Sequence, residues 1–262
     1  MTFHDLHHGD RPLVLPNAWD FITGAVLAEA GHPAIGTTSL GVAAAAGKPD
    51  ATGDTRAETV ALARSLARLP VWVTVDIEGG FSTDPGAVGD LVAELDAYGI
   101  AGVNIEDGRG DGSLMPMDHQ AELVAAAKAA APGVFVNART DTFWLPMLAG
   151  AGEPSMAETL RRAAAYTDAG ADGIFVPGAA TDADVAALTE ALSLPLNVLH
   201  LPGRTAYGRL AELGVRRIST GSLLIRAALK AVLDTAATVP GEPADTSPMP
   251  SYQEIQRLLD QA

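Results

Sequence analysis

The chain has 262 residues, no cysteine and a formal net charge of −15. The lack of cysteine excludes disulfides, thiolate nucleophiles and cysteine-based metal sites. A strongly acidic surface repels polyphosphate backbones and anionic lipids. The first twelve residues are polar and His-rich, and no apolar run approaches the ~20 residues that span a bilayer. We therefore expect a soluble, cytoplasmic protein with neither a nucleic-acid nor a membrane partner.

Short apolar or β-branched runs alternate along the chain with longer Ala- and Leu-rich stretches of helical period. The eight predicted strands are Leu13–Leu15, Ala34–Thr37, Val71–Val75, Gly102–Ile105, Val134–Asn137, Gly173–Val176, Leu196–Leu199 and Arg216–Ser219. The helices predicted to follow them are 20–30, 56–69, 85–98, 120–130, 156–169, 183–192, 206–213 and 223–235. A further amphipathic helix is predicted at Tyr252–Leu259.

Four of the predicted helices end in glycine, at Gly31, Gly99, Gly170 and Gly214. Glycine adopts the left-handed conformation that closes a helix, so this recurrence indicates a repeated helix-to-strand connection. Alternating strands and helices imply parallel strands, and eight such units in about 240 residues fit a closed barrel. A doubly wound open sheet is the alternative, although no strand is followed by a Gly-x-Gly-x-x-Gly phosphate loop. The sequence thus predicts a (β/α)₈ TIM barrel over residues 1–239, with a Pro-rich connector and a C-terminal helix over 240–262.

Acidic residues follow two neighbouring predicted strands. Asp76 and Glu78 are two residues apart, and on an extended chain they would point to the same side, where Glu106 of the next strand could join them. Three close carboxylates repel one another unless a cation lies among them. Oxygen ligands without histidine or cysteine favour a hard ion, so we predict a Mg²⁺ site, with Mn²⁺ as the alternative ion.

Arg139 ends the following strand, where its planar guanidinium could bind a substrate carboxylate in two-point fashion. Asp141 could orient Arg139 or a metal-bound water, or simply cap a helix. The small-residue turn Thr37–Gly41 offers a hydroxyl and backbone N–H groups that could hold an anion. His200 could pack in the interior or line the pocket.

These strand ends, taken in order, resemble the isocitrate lyase / phosphoenolpyruvate mutase superfamily, and most closely its small mutase-like members. The matching segments are Pro16–Asp20, Thr37–Ala43, Gly47–Asp50, Asp76–Gly80, Asn104–Gly108, Asn137–Asp141 and Pro195–Leu199.

The resemblance implies that Asp76 contacts Mg²⁺ directly, while Glu78, Glu106 and Asp50 hold the ion through water. It also implies homo-oligomers, dimers or tetramers, that exchange a C-terminal helix between subunits. The residues that we expect to serve catalysis are Asp50, Glu106 and Arg139. Those that we expect to bind substrate are Trp19, Ser39, Leu40, Gly41, Arg139 and Asn197.

The loop after the fourth predicted strand departs from the family patterns. Members that cleave isocitrate or methylisocitrate carry a Lys-Lys-Cys-Gly-His pattern there, and phosphonate-directed members carry a lysine and an asparagine. Residues 108–116 of this chain contain none of the lysine, cysteine or asparagine residues of those patterns. Pro177 also replaces the histidine or glutamate that several members have at the sixth strand. The substrate, and the acid or base, are therefore not identified by resemblance.

Three functions stay open at this point. The first is a Mg²⁺-dependent lyase or decarboxylase that cleaves a C–C bond in a small α-keto or 2-hydroxy acid through a pyruvate-type enolate. The second is P–C chemistry, as a phosphonomutase or phosphonopyruvate hydrolase, which would need more cationic residues than Arg109 and Arg204 supply. The third is a non-catalytic protein that binds keto acids. The Gly-rich loop at 108–112 is predicted to act as a lid.

Overall fold

A computed structural model of the protein describes residues 1–150, 152–240 and 246–261. One parallel sheet curves into a barrel with helices around it, which confirms the predicted (β/α)₈ fold. Its strands are β1 (Leu13–Leu15), β2 (Asn17–Ala18), β3 (Ala34–Thr37), β4 (Trp72–Asp76), β5 (Gly102–Glu106), β6 (Phe135–Arg139), β7 (Gly173–Phe175), β8 (Leu196–Leu199) and β9 (Arg217–Ser219).

Strands β1 and β2 take the place of one barrel strand that is interrupted at Pro16. Strand β1 pairs with β9 and β2 pairs with β3. The two ends of the sheet are therefore joined through Pro16, and the strands form a ring. Proline has no N–H to donate, but its carbonyl accepts a hydrogen bond from the Gly36 N–H at 2.9 Å. This pairing around the ring is the reason why the open doubly wound alternative is wrong.

The helices surround the barrel and, except for α2 and α6, begin and end within a few residues of the predicted positions. They are α1 (Phe21–Glu29), α2 (Ser39–Ala46), α3 (Arg56–Leu66), α4 (Pro85–Ala97), α5 (Met117–Ala130), α6 (Trp144–Ala149), α7 (Met156–Asp168), α8 (Asp182–Ala191), α9 (Tyr207–Glu212), α10 (Leu223–Thr238) and α11 (Tyr252–Leu259). The four predicted helix-ending glycines have φ between 86° and 97°, as the left-handed conformation requires.

Two of these helices, α2 and α6, were not predicted. Helix α2 buries four consecutive residues, 40–43, so it has no apolar stripe of helical period that the sequence could reveal. The turn predicted at Thr37–Gly41 is in fact the end of β3 followed by the first turn of α2. Helix α6 has only six residues, which is too short for a periodic pattern.

Helix α11 rests on the rim of this chain's own barrel. The Gln253 side chain donates a hydrogen bond to the Leu148 carbonyl at 3.3 Å. The Pro-rich connector is described only in part, because residues 241–245 lie outside the described ranges. The division at residue 239 and the exchange of a C-terminal helix between subunits therefore stay predictions. In the described ranges, no helix has the length and apolar character needed to cross a membrane.

The N-terminal segment closes the end of the barrel where the strands begin. Phe3 and His7 both pack on Phe135, the first residue of β6, with ring centroids 5.7 Å and 4.0 Å away. The His7 Nδ1 atom lies 2.9 Å from the Phe3 carbonyl oxygen. Burial, assisted by the positive charge of Arg217, lowers the pKa of His7 to about 3. The imidazole is therefore neutral in the folded protein at neutral pH.

Acidification should reduce the contribution of His7 to the stability of the protein. Its pKa is about 6.5 when unfolded and about 3 when folded, so between these values the unfolded chain binds a proton that the folded chain does not. The free energy of unfolding should then fall on acidification below pH 6.5, by up to ~1.4 kcal/mol per pH unit from this group. Urea unfolding at pH 7.5 and 5.0 gives the net change in the free energy of unfolding, to which buried carboxyl groups of raised pKa, such as Asp141, contribute in the opposite direction. The loss due to His7 is the difference between the native protein and His7→Phe, which should be relatively more stable at pH 5.0. His8→Gln, whose side chain is exposed, should behave as the native protein does; the same change in all three proteins would contradict the assignment.

Candidate functional site

A cavity of about 430 Å³ opens at the end of the barrel where the strands terminate, the end that carries function in this fold. Residues from β4, β5 and β6, from the loops after β5 and β6, and from α11 contribute to its wall. The polar and charged residues that line it are Asn17, Thr38, Ser39, Asp50, Asp76, Asn104, Glu106, Arg109, Arg139, Asp141, Ser219, Ser222, Tyr252 and Gln256.

Arg139 lies at the centre of the charged residues. Its Nη1 atom is 2.5 Å from Glu106 Oε2, while its Nε and Nη2 atoms donate to the two carboxylate oxygens of Asp141 at 2.6 and 3.0 Å. Burial by itself would lower the pKa of Arg139, but these two carboxylates raise it, so the side chain stays a cation. Asp141 thus contacts Arg139, which is one of the roles anticipated for it.

The carboxyl groups in the cavity have elevated pKa values. Burial raises the pKa of Asp50 and Asp76, raises that of Glu106 well above its ordinary value, and raises that of Asp141 to about 6. Among the described lining residues, these four acids face two arginines, Arg139 and Arg109. An additional cation in the cavity would therefore be strongly favoured.

Glu78 does not line the cavity, so the expected convergence of three carboxylates is only partly seen. Its carboxylate accepts hydrogen bonds from the Thr55 hydroxyl at 2.6 Å and from the Gly53 N–H at 3.0 Å. The prediction assumed an extended chain through Glu78. However, β4 ends at Asp76, and Glu78 has a left-handed φ of 50°, which turns its side chain away.

The predicted anion cradle is the N-terminus of α2. Ser39 and Leu40 line the cavity, and the Ser39 N–H donates to Asp76 Oδ2 at 3.4 Å. The first N–H groups of a helix have no partners within it, so they can bind an anion. Gly41 lies behind this wall, where a Cβ atom would stand 2.6 Å from the Trp19 Cβ. Gly41 and Trp19 therefore pack on each other outside the lining, instead of facing the cavity.

Asn197 also lies outside the lining. It is buried inside the barrel, where its Nδ2 atom donates to Ser219 Oγ at 3.1 Å, so it supports a lining residue from behind. Asn197 was expected to bind substrate, but the sequence does not tell which way the side chain of a strand residue points. His200 faces a smaller neighbouring cavity, and its Nδ1 atom lies 3.2 Å from the Thr205 hydroxyl.

The loop after β5 lies over the cavity, as expected of a lid. Gly108, Arg109, Gly110 and Gly112 all contribute to the lining. Two of these glycines allow close approaches. A Cβ atom at Gly108 would lie 2.1 Å from Asp141 Oδ2, and one at Gly110 would lie 2.8 Å from the Ala51 carbonyl oxygen.

A buried network fixes the base of this loop. Asp107 accepts hydrogen bonds from Arg162 Nη1 at 3.0 Å and from the Tyr166 hydroxyl at 2.7 Å. Its other oxygen accepts from the Asp141 N–H at 2.8 Å. The acid next to Glu106 thus serves structure, and it sets the position of Asp141 and hence of Arg139.

Helix α11 supplies two lining residues that the sequence did not suggest as functional, Tyr252 and Gln256. The Tyr252 hydroxyl donates to Asp50 Oδ2 at 2.7 Å. The Gln256 side-chain amide accepts from the Asp50 N–H at 3.1 Å and donates to the Asp50 carbonyl at 3.2 Å. The sequence showed the helix through its amphipathic pattern. However, no local signal connects residue 50 to residues more than two hundred positions away.

The donor set fits a hard divalent ion held mainly through water. The Asp50 Oδ1 and Glu106 Oε2 atoms are buried without a hydrogen bond, although the latter is ion-paired to Arg139. Among the described residues, no three His, Cys, Asp or Glu side chains are grouped to ligate one ion directly. Mg²⁺ commonly takes only one or two carboxylates and keeps several waters. Asp76, Asp50 and Glu106 are the side chains in position to hold it.

The fold and this acid-lined cavity define a (β/α)₈ barrel protein with its functional site at the strand ends. The profile of the phosphoenolpyruvate phosphomutase family matches residues 3–240, and the chain belongs to that family.

Three similar proteins illustrate its breadth. A Mycobacterium tuberculosis protein described as uncharacterized is 44% identical over 99% of this chain and 97% of its own length. The 2-methylisocitrate lyase of Bacillus subtilis is 31% identical over 87% of this chain and 77% of its own. The crystal structure of a Burkholderia cenocepacia protein, provisionally assigned as a phosphonomutase, is 38% identical with a TM-score of 0.83. It covers 91% of this chain and 96% of that one.

Removal of the Tyr252 hydroxyl should destabilise the protein. In Tyr252→Phe the buried Asp50 carboxyl group loses its 2.7 Å hydrogen bond and has no partner in its place. We expect the free energy of unfolding in guanidinium to fall by ~1–3 kcal/mol. The control is Tyr207→Phe. The Tyr207 side chain is partly exposed, and its hydroxyl lies 3.5 Å from the Pro12 carbonyl oxygen, so its removal should cost little. Equal effects of the two substitutions would show that Tyr252 does not hold Asp50.

Proposed function

We propose that the protein is a Mg²⁺-dependent carbon–carbon lyase or decarboxylase that acts on a small α-keto or 2-hydroxy carboxylic acid. The observation that carries this proposal is the group of three carboxyl groups at the cavity, the buried Asp50 and Glu106 and the half-buried Asp76, around a single ion-paired arginine. Such a group calls for a divalent cation, with Mn²⁺ as the alternative to Mg²⁺. When bound, the ion supplies Lewis-acid stabilisation of the negative charge that develops on a keto oxygen.

The chain's own residues divide the remaining tasks. The N–H groups at the start of α2, together with the Ser39 hydroxyl, would bind the substrate carboxylate. Arg139 would neutralise it from the other side, held in place by Asp141. Asp50 keeps one carboxyl oxygen unpartnered and buried, because Tyr252 and Gln256 hold the rest of the residue. This geometry suits it to orient water or accept a proton at Oδ1. The loop over the cavity would exclude bulk water.

The lining favours C–C over P–C chemistry. A dianionic phosphonyl group would need cationic partners, whereas Arg139 already pairs with two carboxylates and Arg109 is the other arginine of the described lining. The relative named as a 2-methylisocitrate lyase supports the lyase class. It does not supply the substrate, because this chain lacks the cysteine that the resemblance associates with that reaction.

Loss of the Asp76 carboxylate should abolish Mg²⁺-dependent binding of oxalate, a stable mimic of a keto-acid enolate. Calorimetry with Mg²⁺ should show saturable oxalate binding to the native protein, none in the presence of excess EDTA, and none for Asp76→Asn. The control Asp84→Asn changes an acid that only caps α4, so it should bind normally. Tight oxalate binding by Asp76→Asn would overturn the assignment of this ligand.

Turnover tests discriminate the reaction classes. With Mg²⁺ and a panel of oxaloacetate, alkylated malates and phosphonopyruvate, we expect pyruvate or another keto acid without phosphate. Release of phosphate, or formation of phosphoenolpyruvate, would support P–C chemistry instead. Oxalate binding without turnover of any panel member would support a binding protein.

We also propose that the protein forms a homo-oligomer, a dimer or a tetramer, through α10. This helix has sixteen residues, of which Ile225 is buried, while Leu229, Val232 and Leu233 are exposed on one side at helical spacing. Val232 is 63% and Leu233 55% exposed, which is unusual for neighbouring large apolar side chains. A second copy of the chain would cover this stripe.

A charge on that stripe should dissociate the oligomer. Light scattering after size exclusion should give a mass at least twice 26.9 kDa for the native chain. It should give a smaller mass for Val232→Glu, because assembly would bury the new carboxylate without a partner. The exposed polar position Thr235 on the same helix provides the control, Thr235→Glu. A monomeric native protein would contradict the proposal.

A further inference from the structure

Apart from the polar, uncharged side chains contributed by β2, β9 and α11, the cavity has a charged half and an apolar half. The charged half comes from the α2 loop, β4, β5 and β6, whereas the apolar half comes from α6, β7 and β8 and the residues just after them. The side chains of the apolar half are Trp144, Leu145, Leu148, Phe175, Pro177 and Leu199. Not one of these six has a charge, and the only polar atom among them is the indole nitrogen of Trp144.

Arg139 marks the boundary between the halves. Its guanidinium carbon lies 5.7 Å from the Phe175 ring centroid and 6.0 Å from that of Trp144, while its nitrogen atoms pair with Glu106 and Asp141. A substrate whose carboxylate is held at Ser39 and Arg139 would therefore direct its far end toward α6, β7 and β8. Pro177 contributes a ring without a donor at the end of this wall.

We propose that this apolar half is a subsite for a small, uncharged, branched alkyl group at the far end of the substrate. The inference rests on the proposed function for the position of the substrate's carboxylate. A second carboxylate or a phosphonate in the subsite would lose its hydration without a cation to replace it. Arg139, which borders the subsite, is already paired with Glu106 and Asp141, and Arg109, the other arginine of the described lining, belongs to the loop after β5 on the charged side. An alkyl group would instead exchange water for Phe175, Leu148 and Leu199. The preferred substrates are then C3-alkylated keto or hydroxy acids, and extended dicarboxylates are disfavoured.

Two unreactive ligands of similar shape test this directly. N-isobutyloxamate and N-oxalylglycine share the oxamate core, and they differ in whether an isopropyl group or a carboxylate occupies the far end. With saturating Mg²⁺, calorimetry should show N-isobutyloxamate binding at least about tenfold more tightly, since three apolar carbons are buried. Equal affinity, or tighter binding of N-oxalylglycine, would overturn the subsite.

Substitutions on α6 locate the effect. Leu148→Asn should reduce the preference for N-isobutyloxamate at least about threefold and leave oxalate affinity unchanged, because oxalate does not reach the subsite. Met147 lies on the same helix but does not line this cavity, so Met147→Asn is the matched control and should keep the preference. A preference that survives Leu148→Asn would overturn the assignment.

If the native protein fails to bind oxalate itself with Mg²⁺, the proposed function fails and the subsite falls with it. Oxalate binding without an alkyl preference removes the subsite alone.

Discussion

The arrangement at the barrel mouth depends on one electrostatic constraint: buried carboxyl groups outnumber the cations that could neutralise them. Arg139 pairs with Glu106 and Asp141, and its own charge is secured by them. In the described part of the chain no arginine forms an ion pair with Asp50 or Asp76, and burial raises the pKa of both. The protein's own cations do not balance the negative charge of these carboxyl groups. The site is therefore suited to a small divalent ion that binds together with an anionic ligand.

Surrounding residues hold the mutually repelling carboxyl groups of this site in place. Asp107, Arg162 and Tyr166 form a buried network that anchors the base of the β5 loop and, through the Asp141 N–H, the position of Arg139. Helix α11 performs the same task for Asp50 through Tyr252 and Gln256. The residues proposed to take part in chemistry are thus held in position by supporting residues that do not react. Such outer contacts commonly fix the geometry of a site.

The asymmetry of the cavity connects the fold to specificity. In a parallel barrel each strand end adds one sector to the rim, so strands can be specialised independently. Here β4 to β6 supply charge, while β7 and β8 supply Phe175, Pro177 and Leu199. The family resemblance explains the charged sector. In the apolar sector, Pro177 stands where the resemblance associates a histidine or a glutamate with several family members.

The sequence by itself determined the barrel, because its evidence is local and repeated: alternating strand and helix patterns, glycines that close helices, and acids directly after strands. It also placed Ser39, Leu40, Asp76, Glu106 and Arg139 at one rim, since the strand ends of a parallel barrel meet there, whereas Asp50 was expected at the site only from the family resemblance. It could not give side-chain direction where the backbone leaves the strand. Glu78 therefore turned out to face Thr55, and Asn197 the barrel interior. Only the tertiary structure brought α11 to Asp50, because that contact depends on where the whole chain returns and not on any pattern within it.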